Sequence, residues 1–270
     1  MIPIKRQQAI INHLLSAKVA SINELAEMLD VSSMTIRRDV QKLEMAGRVV
    51  SVSGGVTIST EIMKEPSHLA KRDMQMDEKE AIAREAEALV ERGATIYLDA
   101  GTTTLALARL LAARRTDDGD LLVVTNDLAI TNHLIDNSGL RVYHTGGMVV
   151  RENRSCVGDG AARTLKGLNI DVAFISTPSW NTRWLSTPDS EKSPVKKAAV
   201  SSSLKRVLLT DSSKYGKVGA FKAVPTTAMN LIITDDGLAE GAREALREQG
   251  VELIIARTGR RRGRKEKQQQ

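Results

Sequence analysis

Apolar residues recur along the chain at two different spacings, and the change from one to the other divides it. In residues 4–16, Ile10, Ile11, Leu14 and Leu15 fall at helical intervals and predict a first helix. Ser21 with Glu24 three residues on has the form of a capping box. Behind it, Ile22, Leu25, Ala26 and Leu29 make the apolar stripe of a second helix. Asp30-Val31-Ser32 interrupts that stripe. Ser32 or Ser33 then caps a third helix, with Ile36, Val40 and Leu43 turned inward and Gly47 as its stop. Residues 48–56 alternate weakly around Gly54-Gly55, the pattern of a small β-hairpin. Residues 58–76 have no clean period, contain Pro66, and read as a linker with short helical pieces.

From residue 77 the style changes. A helix is predicted over 78–92, stopping at Gly93. Short apolar runs follow at 95–98, 121–125, 141–144, 172–175, 207–210, 231–234 and 252–256. Amphipathic stretches at 103–113, 127–136, 159–167, 190–203 and 238–248 alternate with them. Nearly all-apolar strands separated by helices predict a mostly parallel sheet covered on both faces, an α/β doubly wound domain. The expected organisation is a winged helix-turn-helix over 1–57, a linker over 58–76, a sheet domain over 77–256 and a low-complexity basic tail over 257–270.

Composition adds limits. With 41% hydrophobic and 27% charged residues in a chain of 270, the composition is that of a globular protein, and 3% aromatics imply an aliphatic core. The formal charge of +6 is mostly a tail effect: residues 257–270 hold seven basic residues and one acidic, and 61–256 are slightly acidic. The long middle is therefore not a nucleic-acid surface. A lone Cys156, no apolar run near membrane-spanning length and no leader-like start lead us to expect a cytoplasmic protein without a membrane partner. His68, His133 and His144 lack metal-ligand spacing, so neither metal nor cofactor is expected.

The third helix carries the first chemistry. With Ile36, Val40 and Leu43 inward, its outer face presents Met34, Arg37, Arg38 and Gln41. Arg pairs bidentately with guanine and Gln with adenine in the major groove. Ser32, Ser33 and Thr35 put hydroxyls at the helix start, where they suit phosphate. Arg48, Gly54 and Gly55 would bring a wing close to DNA. A charged solvated face is the bland alternative, but compact spacing, paired hydroxyls and a glycine wing favour DNA. The run from Ser21 to Glu44, with Thr35-Ile36-Arg37-Arg38-Asp39 at its centre, resembles the DNA-binding signature of DeoR-type bacterial transcription regulators. The family wing commonly reads Arg-x-His-Gly-Gly, and here Ser51-Val52-Ser53-Gly54-Gly55 stands in its place. The resemblance therefore implies no wing Arg or His contact.

The second chemistry lies at predicted strand ends. Asp99, then Gly101, then Thr102-Thr103-Thr104 at a helix start form a candidate phosphate cradle. Thr125-Asn126, Gly146-Gly147, Ser176-Thr177 and Asp211 fall at the carboxyl ends of other strands, where open α/β sheets bind ligands. Lys197 and Lys214 are candidate cations. Thr102 and Asn126 taken singly are ordinary helix caps, but five decorated strand ends favour a ligand site. These stretches, with Asp211-Ser212-Ser213-Lys214-Tyr215-Gly216, resemble the DeoR-type effector domain, whose fold is shared with sugar-phosphate isomerases. The resemblance implies a phosphorylated sugar or sugar-acid effector, double-stranded operator DNA as partner, and a dimer or tetramer. The alternative is a sugar-phosphate isomerase-like enzyme. It needs a carboxylate base where this chain has Ser176-Thr177-Pro178-Ser179-Trp180-Asn181, so a non-enzyme is the expected class.

Overall fold

A computed structural model describes residues 2–52, 54–114 and 120–259. The first domain has three helices, Pro3–Ala17, Ile22–Leu29 and Ser33–Met45, and a small antiparallel sheet. In that sheet Gly55–Ile58 lies between Val19–Ala20 and Val49–Val52. The capping box at Ser21 is complete: the Ser21 hydroxyl accepts from the Glu24 N–H at 3.1 Å, and the Glu24 carboxylate accepts from the Ser21 N–H at 2.6 Å. Gly55 permits the wing to close, because a Cβ there would stand 2.4 Å from the Ala20 carbonyl oxygen. Ile10, Leu14, Leu25, Ile36, Val49 and Val56 fill the core between helices and wing. Each such aliphatic adds about 1.5–3 kcal/mol on full burial.

The second domain is a seven-stranded, wholly parallel sheet. Across it run Glu252–Ala256, Leu231–Asp235, Ser203–Leu209, Ile170–Ile175, Thr95–Leu98, Leu122–Thr125 and Arg141–His144. All seven predicted strands are present. Side chains alternate between the faces, as the pleat requires: Ile96, Leu98 and Phe174 pack on one side, Tyr97, Ala173 and Ile175 on the other. Helices Met76–Glu87, Thr102–Ala113 and Leu128–Asn137 cover the first face; Gly158–Lys166, Lys192–Ser201 and Glu240–Glu248 cover the second. The chain changes face between Thr95–Leu98 and Ile170–Ile175, neighbours in space though distant in sequence. That switch point opens a crevice at the carboxyl ends of these two strands.

The linker 58–76 does contain a short helical piece, and it is also docked on the sheet domain. Thr60–Ile62 pairs in parallel with Lys217–Gly219, Ser67 caps the short helix His68–Arg72, and Met76–Glu87 begins within it. Its lack of apolar period reflects a segment laid across the sheet domain through polar contacts. Periodicity also gave no sign of the antiparallel sheet Ser179–Trp180, Trp184–Thr187 and Phe221–Pro225, nor of the hairpin Met148–Val150 with Ser155–Val157. Of the expected tail, residues 260–270 lie outside the described residues. Among those described, no helix is long and apolar enough to cross a membrane.

Candidate functional site

The helix Ser33–Met45 turns its motif in two directions. Ile36, Asp39 and Val40 are buried, while Met34, Arg37 and Arg38 are exposed. Ser32 caps the helix, its hydroxyl accepting from the Thr35 N–H at 3.2 Å and lying 2.9 Å from the Thr35 hydroxyl. Asp39, within the motif, faces the core and takes hydrogen bonds from Arg6 and, at 3.0 Å, from Gln7. It fixes the first helix against the third and does not face outward. The Ser33 hydroxyl donates to Asn23 at 3.2 Å, so it ties the two helices of the motif together. Gln41 departs from the expected outer face: its amide donates to Glu248 on the last helix of the sheet domain. The cleft between the two domains, about 760 Å³, has Arg37, Gln41 and Gly54 on one wall and Glu240, Glu244 and Glu248 on the other. Arg48 and Gly54 are exposed at the wing, and Gly54 adopts φ +87°.

The domains meet at a polar joint. Glu44, buried near the end of the third helix, accepts from the Ser51 N–H at 2.9 Å, the Ser51 hydroxyl at 2.8 Å and the Tyr215 hydroxyl at 2.8 Å. Burial, with the Glu44 carboxylate beside it, pushes the Tyr215 phenol well above its ordinary value. Gly216 allows the approach: a Cβ on it would stand 2.3 Å from a Val50 methyl.

At the switch point the arrangement is inverted: the polar groups are buried and already partnered. Asp99 is 2% exposed, and all its acceptor positions are engaged. One carboxylate oxygen accepts from the Ala100 N–H at 3.0 Å and the Tyr97 hydroxyl at 3.2 Å. The other accepts from the Ser176 N–H at 3.0 Å and pairs with Lys196. Asn126 accepts from the Tyr97 hydroxyl and the Ala100 N–H, both at 2.9 Å, and donates to the Cys156 carbonyl at 2.8 Å. Asp127, unnoticed in the sequence because it follows Asn126 as an ordinary cap, accepts from Ala129 and Ile130 N–H groups and, at 3.1 Å, from the Gly101 N–H. Burial pushes its carboxyl up to about 6, against those three N–H groups and nearby Lys71. Over the crevice lies the segment after the wing. Its Glu65 is clasped by Lys71 and Lys192, and Asn153 bridges Lys192 at 2.9 Å and the Pro66 carbonyl at 3.2 Å. Burial opposes the charge on Glu65, but the two ammonium groups outweigh it and hold its carboxyl at about 2.

Asp99, Asn126 and Thr177 thus come together, with Ser176 and Lys196, around one cavity. Lys197 does not: it is exposed, and Lys196 reaches Asp99. One helical step turns a side chain by about 100°, and the sequence pair Lys196-Lys197 does not say which one faces inward. Thr103 and Thr104 are fully buried. The Thr104 hydroxyl donates to the carbonyls of Asp99, 2.6 Å, and Gly101, 2.8 Å, and the Thr103 hydroxyl is buried without a partner. The Gly101 N–H is taken by Asp127, and Thr102 is buried. Gly101–Thr104 is therefore not an open phosphate cradle in this conformation. The Thr125 hydroxyl donates to the Leu98 carbonyl at 2.7 Å and links two strands. Gly146 and Gly147 end the edge strand with φ of +67° and +111°, away from the cavity. There a Cβ on Gly147 would meet the Val157 carbonyl oxygen at 2.8 Å. Asp211 and Lys214 pair at 3.1 Å in the loop that leads to Tyr215, also outside the cavity.

Comparison with known proteins follows the same division. Residues 6–61 match the DeoR-like helix-turn-helix domain, and residues 74–236 match the DeoR C terminal sensor domain. An HTH-type transcriptional regulator of Haemophilus influenzae is 48% identical over 94% of this chain and 98% of its own. The HTH-type transcriptional regulator YgbI of Escherichia coli is 49% identical over 95% and 99%. A putative aga operon transcriptional repressor of Escherichia coli O157:H7 is 30% identical over 93% of both. Ribose 5-phosphate isomerase a of Methanocaldococcus jannaschii aligns over 51% of this chain and 53% of its own. It is 19% identical with a TM-score of 0.38, too slight a likeness to carry an argument.

Proposed function

The chain belongs to the DeoR family of helix-turn-helix transcriptional regulators, and from that premise we propose that it is a cytoplasmic repressor of a carbohydrate or sugar-acid catabolic operon. It binds operator DNA as a homo-oligomer and responds to a phosphorylated sugar or sugar-acid effector. The observation that carries the DNA half is the exposure of Met34, Arg37 and Arg38 on a helix whose other side is core. One such helix reads too few base pairs for specificity, so paired half-sites and at least two heads are required. The effector half rests on the switch-point cavity, on the match to a sensor domain and on a relative named as a putative transcriptional repressor of the aga operon. An effector alters DNA affinity only by favouring one arrangement of the heads over another.

An isomerase reading is poorer chemically. A general base needs a carboxylate oxygen free to take a proton from substrate. Both oxygens of Asp99 are engaged by Lys196, two backbone N–H groups and Tyr97. Asp189 receives the Glu191 N–H at 3.0 Å as a local cap. The test is an anisotropy titration on the DNA upstream of the protein's own gene, with and without a panel of sugar phosphates and sugar acids. The expected result is salt-sensitive, sequence-preferring binding that one class of these compounds weakens. Equal affinity for unrelated DNA, or turnover of a pentose phosphate, would overturn the reading.

A further inference from the structure

The cavity at the switch point measures about 20 Å³, room for about one water molecule. Sites for small ligands run to hundreds of cubic ångströms. Something now in the crevice must leave before a sugar-sized effector enters. The strand ends cannot move without unpicking the sheet. The segment across the mouth can, because polar contacts hold it. Its anchor is Glu65, part-buried between the ammonium groups of Lys71 and Lys192. Those two lysines come from different elements, the short helix His68–Arg72 and the first turn of Lys192–Ser201. Two cations converging beside a helix start make an anion site, and here a carboxylate of the chain itself fills it. The same segment carries His68, 3% exposed, with both ring nitrogens buried and unpartnered. Such groups are costly to keep docked, so the closed arrangement is not fully satisfied.

We propose that Lys71 and Lys192 form the subsite for an anionic group of the effector, carboxylate or phosphate. Glu65 occupies this subsite as a built-in competitor until the effector displaces it. This rests on the reading that the switch-point crevice is the effector site. The competition also supplies the link to DNA. Upstream of Glu65, Thr60–Ile62 pairs with Lys217–Gly219, and Gly55–Ile58 is the central wing strand. Downstream, Lys79 donates to the carbonyls of Lys71 and Met74 and pins the far end of the segment. Expelling Glu65 therefore loosens the wing side. The strand it releases lies against Lys217–Gly219, directly after the Tyr215-Gly216 joint that holds Glu44 and Val50. Effector and DNA are then coupled reciprocally through one segment.

The test uses the full chain and inorganic phosphate. If the segment is docked nine-tenths of the time or more, apparent affinity is lowered about tenfold or more. Calorimetric titration should therefore show Glu65→Gln binding phosphate at least about tenfold tighter than wild type. Hydrogen exchange of wild type should show phosphate speeding exchange over residues 60–70, a readout that does not depend on the variant's folding. No gain of affinity in Glu65→Gln, including no binding by either protein, overturns the competition. So does phosphate binding to wild type that leaves exchange over 60–70 unchanged or slower. The underlying site reading is scored by Ser176→Asp, which puts a negative charge in the crevice. Phosphate binding as tight as in wild type would show that the site lies elsewhere, whatever Glu65→Gln does.

Discussion

In the winged helix the candidate DNA-reading residues face outward: Met34, Arg37 and Arg38 are exposed on a helix buried along Ile36, Asp39, Val40, Leu43 and Glu44. In the sheet domain the corresponding residues face one another. Asp99, Asn126, Asp127, Thr177 and Lys196 are all buried, and each has a hydrogen-bonded partner within the domain. The first surface is open to solvent at Met34, Arg37 and Arg38, while Gln41 is engaged by Glu248 across the cleft between the domains. The second is closed on itself, and under the proposed function an effector has to open it. Substitutions should therefore separate the two regions. In the head they should alter binding and leave stability alone; at the switch point they should alter stability first.

The largest effect should come from the buried Asp99–Lys196 pair. Lys196→Met leaves the Asp99 carboxylate without its cation, and breaking one partner of a buried pair costs about 3–5 kcal/mol. Lys197→Met, one residue away on the exposed face, should stay within about 0.5 kcal/mol of wild type. Urea unfolding of the two variants measures the contrast. Equal midpoints would mean that the switch point does not depend on its internal charges, and the comparison would fail.

That pair also shows what the sequence could and could not tell. The seven sheet strands were legible as short, largely apolar runs, although the edge strands Arg141–His144 and Glu252–Ala256 are only partly buried, and the head was legible from Ser21, Ser32 and Gly47 as helix punctuation. The choice between Lys196 and Lys197 was not, because periodicity over a ten-residue helix does not fix its rotation. Glu65 and Asp127 were invisible for another reason. Glu65 lies in a stretch without apolar rhythm, and its partners Lys71 and Lys192 are brought to it only by the fold. Asp127 looks like any helix cap, and only the fold shows its second oxygen reaching the Gly101 N–H. Pattern reading finds residues that pack, and it finds polar ones only when they stand at element ends.

In the head, Arg37→Ala with Arg38→Ala should weaken DNA binding by about 1–3 kcal/mol for each side chain that reads a base edge, and relax preference at the matching operator positions. The melting temperature should hardly move. Unchanged DNA affinity in the double variant would remove the recognition helix from its role. A large loss of melting temperature would make the head as self-engaged as the sheet domain.

Acid offers a smaller way to probe the closed side. Burial lowers the His68 pKa from its ordinary 6.5 to about 4, helped by the positive charges of Arg154, Lys71, Arg72 and Lys79. Between those values the unfolded chain holds a proton that the native chain does not. Stability from this group is therefore lost as pH falls from about 6.5 toward 4, by up to about 1.4 kcal/mol per pH unit. Asp127 runs the other way. Its pKa is raised from 3.8 to about 6, so the native chain holds the extra proton there and gains stability as pH falls through the same range. Whole-protein curves mix the two, and the difference between wild type and His68→Leu isolates the first. That difference should be flat above pH 6.5 and turn against wild type below it. Parallel urea midpoints at pH 7.5 and 5.5 would show that His68 is not held neutral by its docking.

The smallest expected effect decides what the threonine run is for. Thr103 is fully buried, and its hydroxyl has no partner. Two accounts fit. Either the hydroxyl is an idle polar atom in the first turn of Thr102–Ala113, or it waits for a ligand that arrives once the crevice opens. Thr103→Val keeps the branched shape and removes the hydroxyl. An unsatisfied buried hydroxyl costs about 1–3 kcal/mol to desolvate, so its removal should leave stability equal to wild type or slightly higher, by less than that amount. Stability alone cannot separate the accounts, because both predict this sign. Affinity can. With the effector found by the panel titration, an idle hydroxyl predicts unchanged affinity in Thr103→Val, and a ligand contact predicts a loss of about 0.5–1.5 kcal/mol, the net worth of one hydrogen bond. We expect the loss. A buried donor left unpaired is rare in folded proteins, and this one stands beside Thr104, whose hydroxyl is doubly engaged. Unchanged affinity would show that the run after Asp99 serves helix packing alone.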